Sequence, residues 1–174
     1  MSRIPIAGVL ACVLILGGCD QVRGILDRDA PETPAGAEVE PFYAEHSGVI
    51  GIEMSGNVAV LRVRQPMEQL TRGGSLWARV GPYIYLFSPS TQAAFQEFPG
   101  LAAVRVITVL PGNEEVARAT LTRDRMTGVR WRRAHNLLGT ALQQGRENPR
   151  RLEELTEWGE EYTVFEYNPD YVGR

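Results

Sequence analysis

Two stretches of the chain alternate between apolar and polar positions with a period of two. In 48–54, Ile50, Ile52 and Met54 share one face. In 58–64, Ala59, Leu61 and Val63 share one face, while Arg62 and Arg64 turn to the other. Successive side chains of a strand point to opposite sides. Gly and Asn in the intervening Ser55-Gly56-Asn57 tolerate the positive φ of a tight turn, so the pair predicts a β-hairpin. Runs 104–110 and 116–122, joined through Pro111-Gly112-Asn113, predict a second hairpin.

Between the hairpins, Pro66 opens a short helix over 67–71, which Gly73-Gly74 ends. Leu76-Trp77 and the run 83–87 then read as a strand pair or one bent strand about Gly81-Pro82. Ser88-Pro89 has the form of an N-cap followed by Pro at the first helical position, and that helix runs to about Phe98, before Pro99-Gly100. Residues 123–128 form a polar connector.

The period then lengthens. Ala134, Leu137, Leu138, Ala141 and Leu142 fall at i, i+3, i+4, i+7 and i+8, the apolar stripe of a surface helix, with Gly145 as its stop. Asn148-Pro149 starts a last helix with Leu152, Leu155 and Trp158 inward, so Leu138 and Leu142 are expected to be buried against Leu155. The tail 162–167 is a final strand or a packed extended segment. Eight arginines against Asp124 and Glu147 give 123–151 a net charge of +6. Seven carboxylates against Arg174 give 153–174 a net charge of −6. Two helices on a short loop lie antiparallel, so these charges are expected to meet across their shared edge. The whole predicts an α+β fold: an antiparallel sheet of about five strands, helices on one face, and a C-terminal helix pair.

The first residues follow a different logic. Met1-Ser2-Arg3 carries one positive charge, and 4–16 is free of charge. Thirteen apolar residues fall short of the ~20 that span a bilayer as a helix, so the segment reads as a signal peptide. It ends Leu16-Gly17-Gly18-Cys19. These four positions resemble the lipobox of bacterial lipoprotein precursors, where small residues precede the cleaved bond. The resemblance implies removal of 1–18, a diacylglycerol thioether on Cys19 and often an acyl group on its new amine. It implies a bacterial cell-envelope protein anchored through its N-terminal lipid and facing the periplasm. Asp20 directly after Cys19 resembles an inner-membrane retention signal, which favours the inner over the outer membrane. Cys12 would leave with the signal segment, so the mature chain would hold neither free thiol nor disulfide.

Residues 19–47 read as a flexible acidic tether, and 48–174 as one globular domain. The stretch 30–38 is rich in Pro, Ala and Glu and poor in large apolar side chains, a composition that cannot offset the entropy of ordering. Between Cys19 and Glu53, eight acidic residues face only Arg23 and Arg28. A flexible chain of this length spans about 25–30 Å.

The chain has 174 residues, 44% hydrophobic and 22% charged, with net charge −3. This balance excludes collagen-like, fully disordered and multi-pass membrane chains, and it points to no polyanionic partner; nucleic acid is not expected. All 18 basic residues are arginine. The two histidines, His46 and His135, stand alone without C-x-x-C, H-x-x-x-H or H-E-x-x-H spacing, so neither metal nor cofactor is expected. No G-x-S-x-G occurs, and Gly73-Gly74-Ser75 reads as a turn. Glu153-Glu154 and Glu160-Glu161 read as a solvated helix face rather than a catalytic pair.

The one stretch with the chemistry of a binding patch is Arg130, Trp131, Arg132 and Arg133. Guanidinium forks grip phosphate and carboxylate, so it offers a contact for anionic lipid or glycan. Alternatively, Trp131 packs in the core and some of the arginines pair with the acidic last helix. The aromatic group Trp77, Tyr83, Tyr85, Phe87, Phe95 and Phe98 reads as core, or as a groove for a hydrophobic ligand. The leading functional expectation is a non-catalytic accessory, assembly or interaction protein with an envelope protein partner. A lipid- or glycan-binding module and an unrecognised hydrolase remain as alternatives.

Overall fold

A five-stranded sheet forms the base of the domain in a computed structural model that describes residues 31–143 and 148–172. The expected signal segment, Cys19, Asp20 and the expected helix stop at Gly145 lie outside the described residues. Strands β1 (Val49–Ser55) and β2 (Val58–Arg64) form the first hairpin. Gly56 supplies the left-handed turn at φ +59°. Strands β3 (Ala103–Val109) and β4 (Glu115–Thr122) form the second, with Asn113 at φ +65°. Strand β5 (Val164–Tyr167) closes the sheet against β4, in the order β1-β2-β3-β4-β5.

Three of the four pairings are antiparallel, and β2 runs parallel to β3. The α+β class and the five-stranded, mostly antiparallel sheet are as expected; the one parallel pairing, β2 with β3, departs from the antiparallel order anticipated. Its cause lies in 67–97. Helix α2 (Met67–Leu86) and helix α3 (Pro89–Glu97) occupy this stretch, and a helical crossover returns the chain to the end of the sheet where it began. The strands expected at Leu76-Trp77 and over 83–87 are therefore replaced by helix, which runs to Leu86. Their residues look strand-like because this part of α2 is enclosed on several sides: Trp77, Ala78, Val80, Tyr83, Leu86 and Phe87 are all buried, which erases the one-sided stripe. Gly73-Gly74 does interrupt the helix, with Gly74 at φ +54° and ψ −136°. The chain then resumes helically despite Pro82.

One turn of helix, α1 (Gly36–Val39), and a 3₁₀ turn (Glu40–Tyr43) precede the sheet. They correct the boundary expected at Gly48. Val39 is 0% exposed and Tyr43 2%. The Tyr43 hydroxyl donates to Thr91 Oγ1 at 2.8 Å, whose own proton goes to the Tyr85 carbonyl. Phe42 meets Phe98 edge-on at 5.6 Å. The compact unit begins at Pro31. The Pro, Ala and Glu around them mask these three anchors in the composition.

Helix α2 lies on β3 and β4; helix α5 (Pro149–Tyr162) packs on α2, and helix α4 (Gly128–Ala141) packs on α5. Helix α6 is the short turn Pro169–Val172. Ser88, Thr127 and Asn148 cap α3, α4 and α5 through their side chains. Leu61, Val104, Val106 and Leu121 of the sheet share one core with Val80, Tyr83, Leu86, Leu152 and Leu155 of the helices. On the stripe of α4, Ala134 and Ala141 are buried, whereas Leu137, Leu138 and Leu142 are only partly so. That corrects the full burial expected of Leu138 and Leu142. Arg123 joins the layers: Nε donates to the Leu101 carbonyl at 2.9 Å, and its two terminal nitrogens donate to the carbonyls of Phe95 and Phe98. One guanidinium thus satisfies the end of α3.

Candidate functional site

The α4 patch divides in the structure. Trp131 is 7% exposed and packs toward Phe95 and His135. Arg130 lies 4.9 Å above the Tyr162 ring and donates to the Arg125 carbonyl at 2.7 Å. Arg132 and Arg133 are exposed. Arg133 borders a shallow groove with Leu137, Glu154, Glu157, Trp158 and Glu161. Among the described residues no ion pair joins α4 to α5. Glu154 pairs instead with Arg150 and Arg151 on its own helix. The charge match anticipated across this edge is therefore replaced by a cation–π contact of Arg130 and by pairs within α5.

The histidines flank the start of α3. His46 Nε2 lies 3.0 Å from Ser90 Oγ. His135 bonds the Ser88 backbone, while burial holds its pKa below the ordinary value. No group of three or more His, Cys, Asp or Glu able to hold a metal occurs among the described residues. No described helix is long and apolar enough to cross a membrane.

A second polar cluster ties β5 to the helices. Tyr167 donates to Glu160 at 3.0 Å and stands 2.9 Å from the Tyr83 hydroxyl. With its own proton committed to Glu160, Tyr167 accepts from Tyr83. Arg79 closes the chain on Glu160 through Nε at 3.1 Å. Burial pushes both tyrosines above their ordinary pKa. The cluster is a fastening for the C-terminal strand.

A further hollow lies at the carboxyl ends of the parallel strands β2 and β3. Gln65 follows β2; its backbone N–H donates to the Val109 carbonyl at 2.8 Å and carries the ladder one residue further. Its side chain turns under α2, where Nε2 donates to the Trp77 carbonyl at 2.7 Å. Gly81 permits this close approach: a Cβ there would stand 3.1 Å from Thr108 Cγ2 and 3.2 Å from Gln65 Oε1. The chain crosses in front at Ser47-Gly48, where Arg64 N–H donates to the Gly48 carbonyl at 2.8 Å. These elements border a half-open hollow of about 230 Å³, lined by Trp77, Ile84 and Tyr85 together with Arg64 and Gln69. Burial raises the Tyr85 pKa, so its hydroxyl is a neutral donor or acceptor at neutral pH. The lining holds no carboxylate, histidine or thiol. Its polar groups are two amides, hydroxyls and one guanidinium, from Gln65, Gln69, Ser47, Tyr85, Thr108 and Arg64.

No protein-family model, curated protein or solved structure matches the chain. Of the cavity residues, Trp77 and Tyr85 belong to the aromatic group singled out in the sequence. Gln65 and Thr108 carry no sequence signal, because one polar residue at a strand end looks the same exposed or buried.

Proposed function

We propose that the chain is a bacterial envelope lipoprotein, acylated on Cys19, held to the inner membrane in keeping with Asp20, and acting non-catalytically by docking an envelope protein partner. The Leu16-Gly17-Gly18-Cys19 motif behind an uncharged segment supports the address. The observation that carries the docking is the sheet face turned away from the helices. There Val60 pairs with Arg105, and Arg62 with Ile107, which in turn pairs with Arg118. Arginines and aliphatic side chains alternate across three strands, all partly exposed. Arg118 is engaged by Glu115 and Glu166, and Arg105 donates to Thr120 at 2.9 Å. Arg62 forms no ion pair among the described residues. Such a surface suits a protein face whose aliphatic centre is ringed by carboxylates.

A photo-crosslinking residue at position 107, with one at Gln96 on exposed α3 as control, tests the docking in intact cells. One discrete product from 107, absent from 96 and lost with Arg62→Glu, is the expected result. Equal products from both positions overturn the docking. Labelling with a radioactive fatty acid tests the anchor separately: Cys19→Ser is expected to abolish label and release the protein from membranes. Retention of the variant through a high-salt wash overturns the lipoprotein reading. The Arg130–Arg133 stretch offers no comparable face, because the indole of Trp131 is committed to the core.

A further inference from the structure

We propose that β5 takes up a basic, extended segment of a partner protein as a sixth strand of the sheet. The inference rests on this edge alone, independently of the anchor and the docking face. The sheet has two edges, β1 and β5. A free edge is a template for further pairing, and folded chains commonly blunt it with bulges or covering segments. β1 is blunted in both ways. Its register shifts between Val49 and Gly51, and α1 stands over its backbone, so close that a Cβ at Gly36 would lie 3.1 Å from the Ile52 carbonyl oxygen.

β5 differs. It pairs with β4 without a bulge over Val164–Tyr167, and Val164 and Phe165 are 70% and 37% exposed. The Asn168 N–H donates to the Val116 carbonyl at 2.9 Å in the same register. Hydrogen bonds of an antiparallel pair alternate along each strand. Val164 and Glu166 therefore bond to β4, while the N–H and C=O of Phe165 and Tyr167 point off the edge. Tyr167 is tied to Glu160 and Tyr83 through its hydroxyl, and an edge already ordered loses little entropy on pairing. Two donors and two acceptors are thus presented to an antiparallel strand.

The charges indicate the occupant. No basic residue occurs in 153–172. Glu161, Glu166 and Asp170, on and beside β5, are exposed. Glu161 and Asp170 form no ion pair among the described residues, and Glu166 reaches Arg118 only at 3.7 Å. Pairing with a second copy of this chain would bring two such acidic ends together, which like-charge repulsion opposes. Phe165 and Tyr167 lie opposite the core residues Ala119 and Ala117, on the helix side of the sheet, and Glu166 lies on the outer side. A segment alternating β-branched and basic residues matches both sides.

The probe is the capped peptide Thr-Val-Arg-Val-Arg-Val-Thr. The full chain in detergent micelles, labelled with ¹⁵N, is titrated with it and with two N-methylated forms. Methyl groups on the valine nitrogens block the donors that would face β5, whereas methyl groups on the arginine nitrogens lie on the far side. The parent peptide is expected to shift the Phe165 and Tyr167 amide resonances and slow their hydrogen exchange, with Ile52 on the opposite edge unmoved. Methylation at valine is expected to weaken binding at least about tenfold, and methylation at arginine to change it little. Glu166→Arg is expected to weaken the parent peptide by about threefold or more and to favour the same peptide with glutamate in place of arginine. Equal loss from both methylations, shifts confined to residues outside β5, or no shift at about 1 mM peptide overturns the proposal. So does protection of the Phe165 amide that grows with chain concentration alone, since a second copy would then occupy the edge.

Discussion

Gly159 lies against the face of Tyr83: a Cβ at 159 would stand 2.7 Å from the ring. The crossing of α5 over α2 therefore depends on a missing methyl group. Gly159→Ala is expected to push the helices apart and cost about 2–3 kcal/mol, the upper part of the range for overpacking. Gly139 on exposed α4 has nothing within 4 Å of its would-be Cβ. There the same change is expected to stabilise by ~0.5–1 kcal/mol through helix propensity. Thermal unfolding followed by circular dichroism distinguishes the two; equal melting temperatures would contradict the close crossing.

Arg123 gives a second test. Its fork serves the Leu101, Phe95 and Phe98 carbonyls together, and its guanidinium lies 5.0 Å from the Phe95 ring. Arg123→Ala is expected to lower stability by about 2–3 kcal/mol, since it leaves several acceptors at one helix end unmet. Arg123→Lys should recover only a minor part, because an ammonium cannot reproduce the planar fork. The urea midpoint measures both.

Leu155 is 0% exposed, whereas Leu138 is only half-buried. Leu155→Ala is expected to cost about 3–5 kcal/mol and Leu138→Ala about half as much. Glu157→Arg at an exposed position should stay within ~0.5 kcal/mol. A Leu138 variant as damaging as the Leu155 variant would show that α4 packs more deeply than the structure has it.

Burial raises the pKa of Tyr43, Tyr83, Tyr85 and Tyr167. In the unfolded chain a tyrosine ionises near ~10. Below that pH both states keep the proton and stability is unaffected. As pH rises past ~10, the unfolded chain releases protons that the folded one retains, so stability falls with increasing pH. Tyr43→Phe removes one such group and is expected to flatten part of the slope, measured by urea unfolding between about pH 9 and 11. An unchanged slope would contradict the burial of the Tyr43 hydroxyl.

Elements defined by local chemistry were legible in the sequence. Gly56 and Asn113 announce their hairpins, Ser88-Pro89 and Asn148-Pro149 announce two helices, and Leu152, Leu155 and Trp158 point inward as expected. What depends on tertiary surroundings was not. Tyr83–Phe87 has strand-like residues but is wrapped on several sides as a helix. Val39 and Tyr43 become anchors only because Thr91 and the core wait for them. Gln65 draws its meaning from a helix carbonyl twelve positions away, a distance no local pattern encodes. The Arg130–Arg133 run was visible, but the direction in which Trp131 points was not.

The docking of Val39 and Tyr43 also sets a local concentration. With the compact unit beginning at Pro31, acylation at Cys19, as proposed, would keep the domain within roughly 40 Å of its anchor, about 3.6 Å for each intervening residue. A hemisphere of that radius around one molecule corresponds to an effective concentration on the order of 10 mM for a partner anchored beside it. Release of the chain as far as Ser47 would extend the reach to about 100 Å. Concentration falls with the cube of that radius, more than tenfold. Tyr43→Ala would therefore weaken capture of a membrane-bound partner without touching the surface that binds it.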